Sequence, residues 1–383
     1  MAIELSIVMP CLNEAETLEI CVRKASDFLK NNNVNGEIIV ADNGSTDGSI
    51  EIAQQWGARV VHIPRKGYGS ALIGGFTAAE GKYIIMGDSD DSYDFSELNP
   101  FLHKIREGFD VVMGNRFKGG IQKGAMPFLH YWLGNPVLSF IGRLFFNSRI
   151  GDFHCGLRCF TKEAFLKMDL QTTGMEFATE MIVKAQLLQM KVTEVPTKLY
   201  PDGRSRPPHL RTWRDGWRHL RFMLLYSPAW LFLYPGLLLM LTGVFVGSFI
   251  VFTPVHLGKT YFDINTLIYM GLFVIVGFQT VSFFLISKTY AVTHNLLPTD
   301  KNLEKFMRIF SLEMGLLIGL GFLVVGIVIS FLALSNWEQA NFGQLDPRQS
   351  IRWVLPAIVS ILLGVQFLLT SFFIGIMGLK QRN

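Results

Sequence analysis

The chain has 383 residues, half of them hydrophobic, with a mean hydropathy of +0.31, too apolar for an ordinary soluble protein. Its net charge of +4 excludes the dense basic surface that nucleic-acid binding needs. The length suggests two domains, and the apolar excess gathers after Pro228.

Residues 1–4 run straight into a strand-like segment, without the basic leader or cleavage site of a secretory signal. The N-terminal part is therefore expected to stay in the cytoplasm. Residues 5–9 form an apolar strand ended by Pro10, and a helix is expected over 14–30. Then come strand 37–41, helix 48–56, strand 59–63, helix 70–79, strand 83–86, helix 96–106 and strand 110–113. Continuous apolar strands alternating with helices predict an α/β fold: a Rossmann-like, mostly parallel sheet with helices on both faces. In such sheets ligands bind at the carboxyl ends of the strands. Here those ends carry Asn13 and Glu14, Asp42 and Asn43, Asp88 to Asp91, and Asn115 and Arg116.

Beyond Gly119, residues 125–146 are rich in Phe, Leu and Trp but too interrupted by polar residues to span a bilayer. They fit a core helix or one lying at a membrane surface. Over 204–225, Arg211, Arg214, Arg218 and Arg221 recur on one helical face and Trp213, Trp217 and Leu220 on another. Immediately before a membrane span, that pattern predicts an interfacial helix with guanidinium groups near lipid phosphates. Four uncharged stretches follow, at 230–252, 266–286, 314–334 and 353–379. Each exceeds the roughly 20 apolar residues that cross a hydrocarbon core. The expected organisation is thus a cytoplasmic domain over 1–203, an interfacial helix over 204–228 and four transmembrane α-helices over 229–383.

Loop charge sets the expected orientation. Loop 287–311 holds Lys288, Lys301, Lys305 and Arg308, and the tail holds Lys380 and Arg382; the other loops hold only Lys259, and Arg348 with Arg352. The positive-inside rule places the middle loop and the C-terminus in the cytoplasm. The absence of ionisable residues within the spans argues against an ion pathway. The four cysteines show no disulfide or zinc spacing and read as buried, reduced thiols.

Chemistry is expected upstream of the spans. Gly87-Asp88-Ser89-Asp90-Asp91 follows a strand. Carboxylates at i and i+2 can face one Mg²⁺ or Mn²⁺, which takes oxygen ligands and completes its shell with water and phosphates. A solvated acidic turn is the plain alternative, and the strand-end position favours the functional reading. In Asp42-Asn43-Gly44-Ser45-Thr46-Asp47-Gly48, Asp42 is placed to accept from a nucleobase, whereas helix capping accounts for Asp47. Lys66-Gly67-Tyr68-Gly69 precedes a helix and is either a simple turn or an approach to phosphate through backbone N–H groups.

Residues 6–14 (Ser-Ile-Val-Met-Pro-Cys-Leu-Asn-Glu), 42–48 and Asp88-Ser89-Asp90, taken together, strongly resemble the family 2 glycosyltransferases of GT-A fold. Met113-Gly114-Asn115-Arg116-Phe117, the run Gly151-Asp152-Phe153-His154-Cys155-Gly156-Leu157-Arg158, and Glu194-Val195-Pro196 look like its polyprenyl-phosphate branch, typified by dolichyl-phosphate mannose and glucose synthases. The resemblance covers about 4–222 and leaves the spans outside. It implies that Pro10, Asn13, Glu14 and Asp42 line the nucleotide pocket. Asp88 and Asp90 would hold the metal with Ser89 beside it, and Ser92 occupies a position where relatives can add a ligand. Arg116, Arg204 and Arg206 would engage the acceptor phosphate, with Asp152 at the reacting end. Asn43 departs from the second Asp of many relatives. The expected reaction moves one sugar from a nucleotide sugar (UDP-glucose first, GDP-mannose or UDP-N-acetylglucosamine next) to dolichyl or undecaprenyl phosphate, with inversion and a divalent metal. A processive polysaccharide synthase is the alternative enzyme, although no Gln-x-x-Arg-Trp sequence is present. A non-catalytic nucleotide-binding membrane scaffold is the alternative outside enzymes, and under any of these readings the chain could form a homo-oligomer.

Overall fold

A computed structural model describes residues 2–205, 212–294, 296–298, 305 and 311–377. The chain divides into two compact units, Met1–Tyr226 and Ser227–Asn383.

The first unit is built on seven strands: β1 (Leu5–Cys11), β2 (Gly36–Asp42), β3 (Arg59–His62), β4 (Tyr83–Met86), β5 (Val111–Asn115), β6 (Arg158–Thr161) and β7 (Val192–Pro196). Their order is β3-β2-β1-β4-β6-β5-β7. All neighbours pair in parallel except β6, which is antiparallel to both β4 and β5. Helices α1 (Leu18–Asn31), α2 (Ser49–Gln55), α3 (Tyr68–Ala78), α4 (Asn99–Arg106), α5 (Arg116–Gly119), α6 (Asn135–Phe146), α7 (Lys162–Met168), α8 (Phe177–Leu187) and α9 (Thr212–Tyr226) complete it.

Strand alternation explains the continuous apolar runs. Leu5, Ile7, Met9 and Cys11 enter one core with Leu18, Phe28 and Phe101, whereas Val8 enters a second with Phe76, Phe160 and Phe177. Successive side chains point to opposite faces, and both faces are covered. All four cysteines are free and buried, as the spacing suggested.

β1 does not end at Pro10. Pairing with β4 stops at Val8–Met86, and only β2 runs alongside Pro10 and Cys11, a strand end where proline is tolerated. The first helix starts at Leu18, later than expected, because residues 15–17 form a turn. Helices α5, α7 and α8, the antiparallel β6, and β7 had no counterpart in the expected series.

The segment 125–146 is not a core helix. It contains a π-helical turn, His130–Gly134, followed by α6. The only buried α6 residues are Ser139 and Gly142, and a Cβ on Gly142 would meet the Phe153 ring at 2.6 Å. Several large apolar residues point outward, among them Phe128 (77% exposed), Trp132 and Phe140, whereas Leu138, Ile141, Phe145 and Phe146 pack against the cluster of Val183, Phe222 and Met223. In α9, Asp215, His219, Phe222 and Met223 face the unit, and Trp213 (78% exposed) and Trp217 face away. Leu220, expected beside the tryptophans, packs with the buried cluster instead. Residues 206–211 of the expected interfacial helix, including Arg211, lie outside the described residues.

Among the described residues, the second unit has four helices long and apolar enough to cross a membrane: Ala229–Ile250 (its regular part α10, Tyr234–Ile250), α11 (Ile264–Thr293), α12 (Leu312–Gln339) and α13 (Pro347–Met377). A short hairpin, β8 (Val255–Leu257) with β9 (Thr260–Phe262), joins α10 to α11. The helices run past the apolar stretches, so Lys288, Glu313, Glu338, Arg348 and Arg352 lie within helical ends rather than loops. Lys301, Arg308, Lys380 and Arg382 lie outside the described residues. Backbones meet at glycine: a Cβ on Gly243 would lie 2.6 Å from the Met270 carbonyl, the close small-residue approach typical of membrane helices. Arg352 ties the unit together, binding the Ile250 and Val251 carbonyls at the end of α10 and the Asp263 carboxylate before α11.

Candidate functional site

The strand order reverses between β1 and β4, since β2 and β3 lie to one side and the later strands to the other. Such a switch point opens a crevice at the carboxyl ends of the two strands. Pro10, Asn13 and Glu14 leave β1 there, and Asp88, Ser89 and Asp90 leave β4. The turns are cross-linked: the Ser89 hydroxyl donates to the Pro10 carbonyl at 2.6 Å and Thr17 Oγ1 donates to the Ser89 carbonyl at 2.7 Å.

The loop after β2 joins them. Asn13, at φ +59°, accepts from the Thr46 N–H through Oδ1, and its own N–H donates to Ser45 Oγ. The Glu14 N–H donates to Ser49 Oγ. Asp42 is buried, accepting from the Gly44 N–H (3.0 Å) and the Ser45 N–H (2.9 Å), with His62 Nδ1 3.3 Å away. Burial works to raise its pKa, but the bonds from Ser45, Gly44 and His62 outweigh burial and hold the carboxyl below its usual range. Asp47 accepts from the Ser49 N–H in the first turn of α2, the capping expected of it, and also from the Ala15 N–H.

Asn43 has a structural reason to be an amide. Its Nδ2 donates to the carbonyls of Ile63 (3.0 Å) and Arg65 (2.9 Å), and its Oδ1 accepts from the Gly67 N–H (2.8 Å). An ionised aspartate accepts only.

The two candidate metal carboxylates differ in environment. Asp88 Oδ1 accepts from the Tyr68 hydroxyl at 2.9 Å, and Oδ2 lies against Gly156, where a Cβ would be 2.3 Å away. Burial first, and the neighbouring Asp90 charge second, push the Asp88 carboxyl up to about 6. Asp90 Oδ1 accepts from the Ser92 hydroxyl and N–H, and Oδ2 from Arg204 Nη2 at 2.9 Å. Ser92 therefore supports Asp90. Two hard oxygen donors whose mutual repulsion a cation would relieve suit a divalent ion, whereas the guanidinium on Asp90 competes for that carboxylate and must release it for both groups to ligate. Among the described residues no three or more His, Cys, Asp or Glu converge as a cage, so a cation here relies on the carboxylate pair, water and donor phosphates.

Arg204 does not point to an open acceptor site. Its guanidinium binds Glu14 (3.2 Å), Asp90 (2.9 Å) and Asp202 (2.8 Å). The backbone beside it is also fixed, with the Gly203 N–H on the Asp90 carbonyl and the Ser205 N–H on Glu16. Arg206 lies outside the described residues.

Arg116 and Asp152 form a separate buried pair. Nε meets Oδ2 at 2.7 Å, Nη2 meets Oδ1 at 2.8 Å, and the Arg116 N–H adds a third bond at 3.1 Å. Asp152 is 0% exposed. Burial tends to raise its pKa, and Arg116 reverses this and holds the carboxyl low. The expected roles were acceptor phosphate for Arg116 and the reacting end for Asp152, but each is engaged by the other. The pair reaches the strand-end crevice through one loop, since Gly156, four residues after Asp152, touches Asp88 and donates to the Tyr93 hydroxyl.

Sequence reading missed three supporting residues. Tyr68 holds Asp88. Arg158, fully buried, donates to the carbonyls of Cys155, Ala178 and Phe153 and so shapes the loop from 152 to 156. His219 of α9 meets Thr179 at 2.7 Å and stacks edge-on against His154. An aromatic hydroxyl between two glycines was the only linear signal for the first.

The family model described as "Glycosyl transferase family 2" matches residues 6–168, and that described as "Glycosyltransferase family 2 C-terminal transmembrane region" matches 285–378. The chain is similar to low-salt glycan biosynthesis hexosyltransferase Agl6 of Haloferax volcanii, with 36% identity over 98% of this chain and 89% of that protein. Two further relatives from that organism are glycosyltransferase AglJ (34%, 58% of this chain, 71% of the relative) and a dolichyl-phosphate hexose transferase (27%, 50% and 81%). A solved Mycobacterium tuberculosis glucosyl-3-phosphoglycerate synthase, complexed with Mn²⁺, UDP and its glucosylated product, overlaps 58% of this chain and 80% of its own at 22% identity and TM-score 0.46. At that score it adds nothing to a ligand assignment.

Proposed function

The chain belongs to glycosyltransferase family 2, as a GT-A enzyme with a C-terminal transmembrane region, and from that premise we propose that it transfers one hexose from a nucleotide sugar to a membrane polyprenyl phosphate. The observation that carries this reading is the joining of Asp88 and Asp90 to Pro10, Asn13 and Glu14 at the β1–β4 switch point. Support for the lipid acceptor comes from the outward apolar faces of 128–146 and α9, which suit a bilayer surface, and from the dolichyl-phosphate hexose transferase among the relatives.

In this reading Pro10, Asn13, Glu14 and Asp42 hold the nucleotide, with Ser89 beside the diphosphate. Asp88 and Asp90 hold Mg²⁺ or Mn²⁺. When bound, that cation supplies charge neutralisation to the departing diphosphate. An acceptor phosphate oxygen attacks the anomeric carbon from the face opposite the diphosphate. The new C–O bond forms as the old one breaks, the nucleoside diphosphate leaves with the electron pair, and the configuration inverts. The acceptor's second pKa is about 6, so it is already an anion near neutral pH and needs no strong general base. Opposing the repulsion between two anions falls to Arg204, Arg206 and Arg116. Arg204 must exchange Asp90 for the acceptor phosphate to do so. Asp152, locked to Arg116, orients that cation rather than taking a proton. The catalytic unit and the C-terminus face the cytoplasm.

The test uses full-length protein in lipid nanodiscs with Mn²⁺ and undecaprenyl or dolichyl phosphate. UDP-glucose is tried first, then GDP-mannose and UDP-N-acetylglucosamine. Mass spectrometry should find one hexosyl phospholipid, of inverted anomeric configuration by NMR and lacking with Asp90→Ala. No glycolipid from any donor, or turnover that survives Asp90→Ala, overturns the proposal.

A further inference from the structure

The turn Lys66-Gly67-Tyr68-Gly69 is not a phosphate cradle. Its Gly67 N–H donates to Asn43 Oδ1, and the N–H groups of Gly69 and Ser70 donate to the Thr173 carbonyl at 3.0 and 3.4 Å. What the turn presents to the crevice is a side chain: the Tyr68 hydroxyl, 2.9 Å from Asp88 Oδ1.

The turn is held from both flanks. On one side Asn43 binds Gly67 while holding the Ile63 and Arg65 carbonyls. On the other, residues 172–173 press onto it: a Cβ on Gly69 would lie 2.2 Å from the Thr172 carbonyl, and Gly67, at φ +132°, would place one 2.2 Å from that of Thr173. That second flank is itself fixed by the buried carboxylate of Glu180, which accepts from the N–H groups of Gln171 and Thr172 and from Thr172 Oγ1, and pairs with Lys184 at 2.9 Å. The Tyr68 ring packs edge-on against Phe177, with centroids 6.5 Å apart. Backbone and ring are thus set before the hydroxyl meets Asp88. The other Asp88 oxygen lies against Gly156, where only a bare backbone fits.

We propose that Tyr68 is a positioning residue that fixes the Asp88 carboxylate for the donor's divalent cation, with Gly156 limiting its rotation on the opposite side. The inference rests on the reading of Asp88 and Asp90 as the cation-holding pair. A carboxylate already oriented loses little freedom when a cation arrives, and partners that orient a metal ligand typically matter by 10- to 100-fold in affinity. The motif Gly-Tyr-Gly then has one explanation: glycines where the chain passes under 172–173, and a phenol where Asp88 must be held.

The test is Mn²⁺ binding to the full-length protein in nanodiscs, with UDP present, followed by the electron paramagnetic resonance of free Mn²⁺. Tyr68→Phe keeps the ring and removes only the hydroxyl. It is expected to weaken Mn²⁺ roughly 10- to 100-fold with an unchanged melting midpoint and unchanged UDP binding in EDTA. Gly156→Ala, acting on the other oxygen, is expected to weaken Mn²⁺ as well. Tyr68→Phe should have no further effect on Mn²⁺ in an Asp88→Asn background. Wild-type affinity in Tyr68→Phe, while Asp88→Ala loses Mn²⁺, overturns the inference and leaves the cation reading standing. Wild-type affinity in Asp88→Ala overturns the cation reading and the inference with it.

Discussion

The Arg116–Asp152 pair concentrates a large single-residue risk in the first unit. Both charges are buried and bonded to each other, so removing one partner strands the other. Arg116→Met should cost roughly 3–5 kcal/mol, and Asp152→Leu a similar amount, as lowered denaturation midpoints. The double variant should lose less stability than the two singles combined, because no buried charge is left, while transfer activity stays absent in all three. Additive stability losses would show that the two side chains do not act as a unit. At this scale the sequence was informative where chemistry sits at a strand end: Asp42, Asp88 and Asp90 could be placed from the runs before them. Contacts across the fold were illegible. The Tyr68 hydroxyl and Asp88 are 20 positions apart, and Arg204 reaches Asp90 across 114. No local pattern encodes either distance. The Asn43 amide, which looked like a departure from relatives, is the donor that its carbonyl neighbours require.

Among the elements, the series from β1 to β5 was legible to within a few residues because helical and strand periods differ. Residues 125–146 were ambiguous because a core helix and an interfacial one carry the same apolar count. The fold turns the small residues Ser139 and Gly142 inward against the loop that bears Asp152 and Phe153 and leaves Phe128, Trp132 and Phe140 exposed. Helix α9 is docked through a histidine. His219 is buried against Thr179 and His154, with Asp215 and Arg218 on its own helix and Arg158 across the interface. Burial pushes its pKa down to about 4, even against the opposing pull of Asp215. Between about 6.5, the unperturbed value, and about 4, the unfolded chain takes up a proton that the folded chain refuses. The contribution of His219 to the stability of this unit should therefore fall as pH drops through that window, by up to roughly 3 kcal/mol, with the raised Asp88 carboxyl acting in the opposite direction below about 6. His154, pushed down chiefly by its own burial, acts in the same direction as His219. Urea unfolding of the first unit at pH 7.5, 6 and 5 should show wild type losing stability relative to His219→Asn as pH falls. Equal slopes in the two proteins would remove His219 from the account.

For the whole molecule, the proposed orientation has a direct chemical test. Every native cysteine is buried, so an introduced one can be read against a quiet background. Lys259, exposed in the β8–β9 turn, and Arg348 at the start of α13 stand one and three crossings from the first unit along the chain. In intact cells Lys259→Cys and Arg348→Cys should react with a membrane-impermeant maleimide, whereas Arg65→Cys, exposed in the first unit, should react only after permeabilisation. The reverse pattern would invert the topology. The second unit was legible as four spans but not in how they join, because a hydropathy run does not say which charge meets which carbonyl. The Arg352 staple has its own meaning for biogenesis. Asp263 leaves the ribosome 89 residues before Arg352, so the earlier hairpin waits with its acid unclaimed until the later one arrives. Only insertion that delivers the start of α13 to the same membrane face lets the two neutralise each other. A last hairpin threaded backwards would leave an uncompensated acid on one face and an uncompensated base on the other.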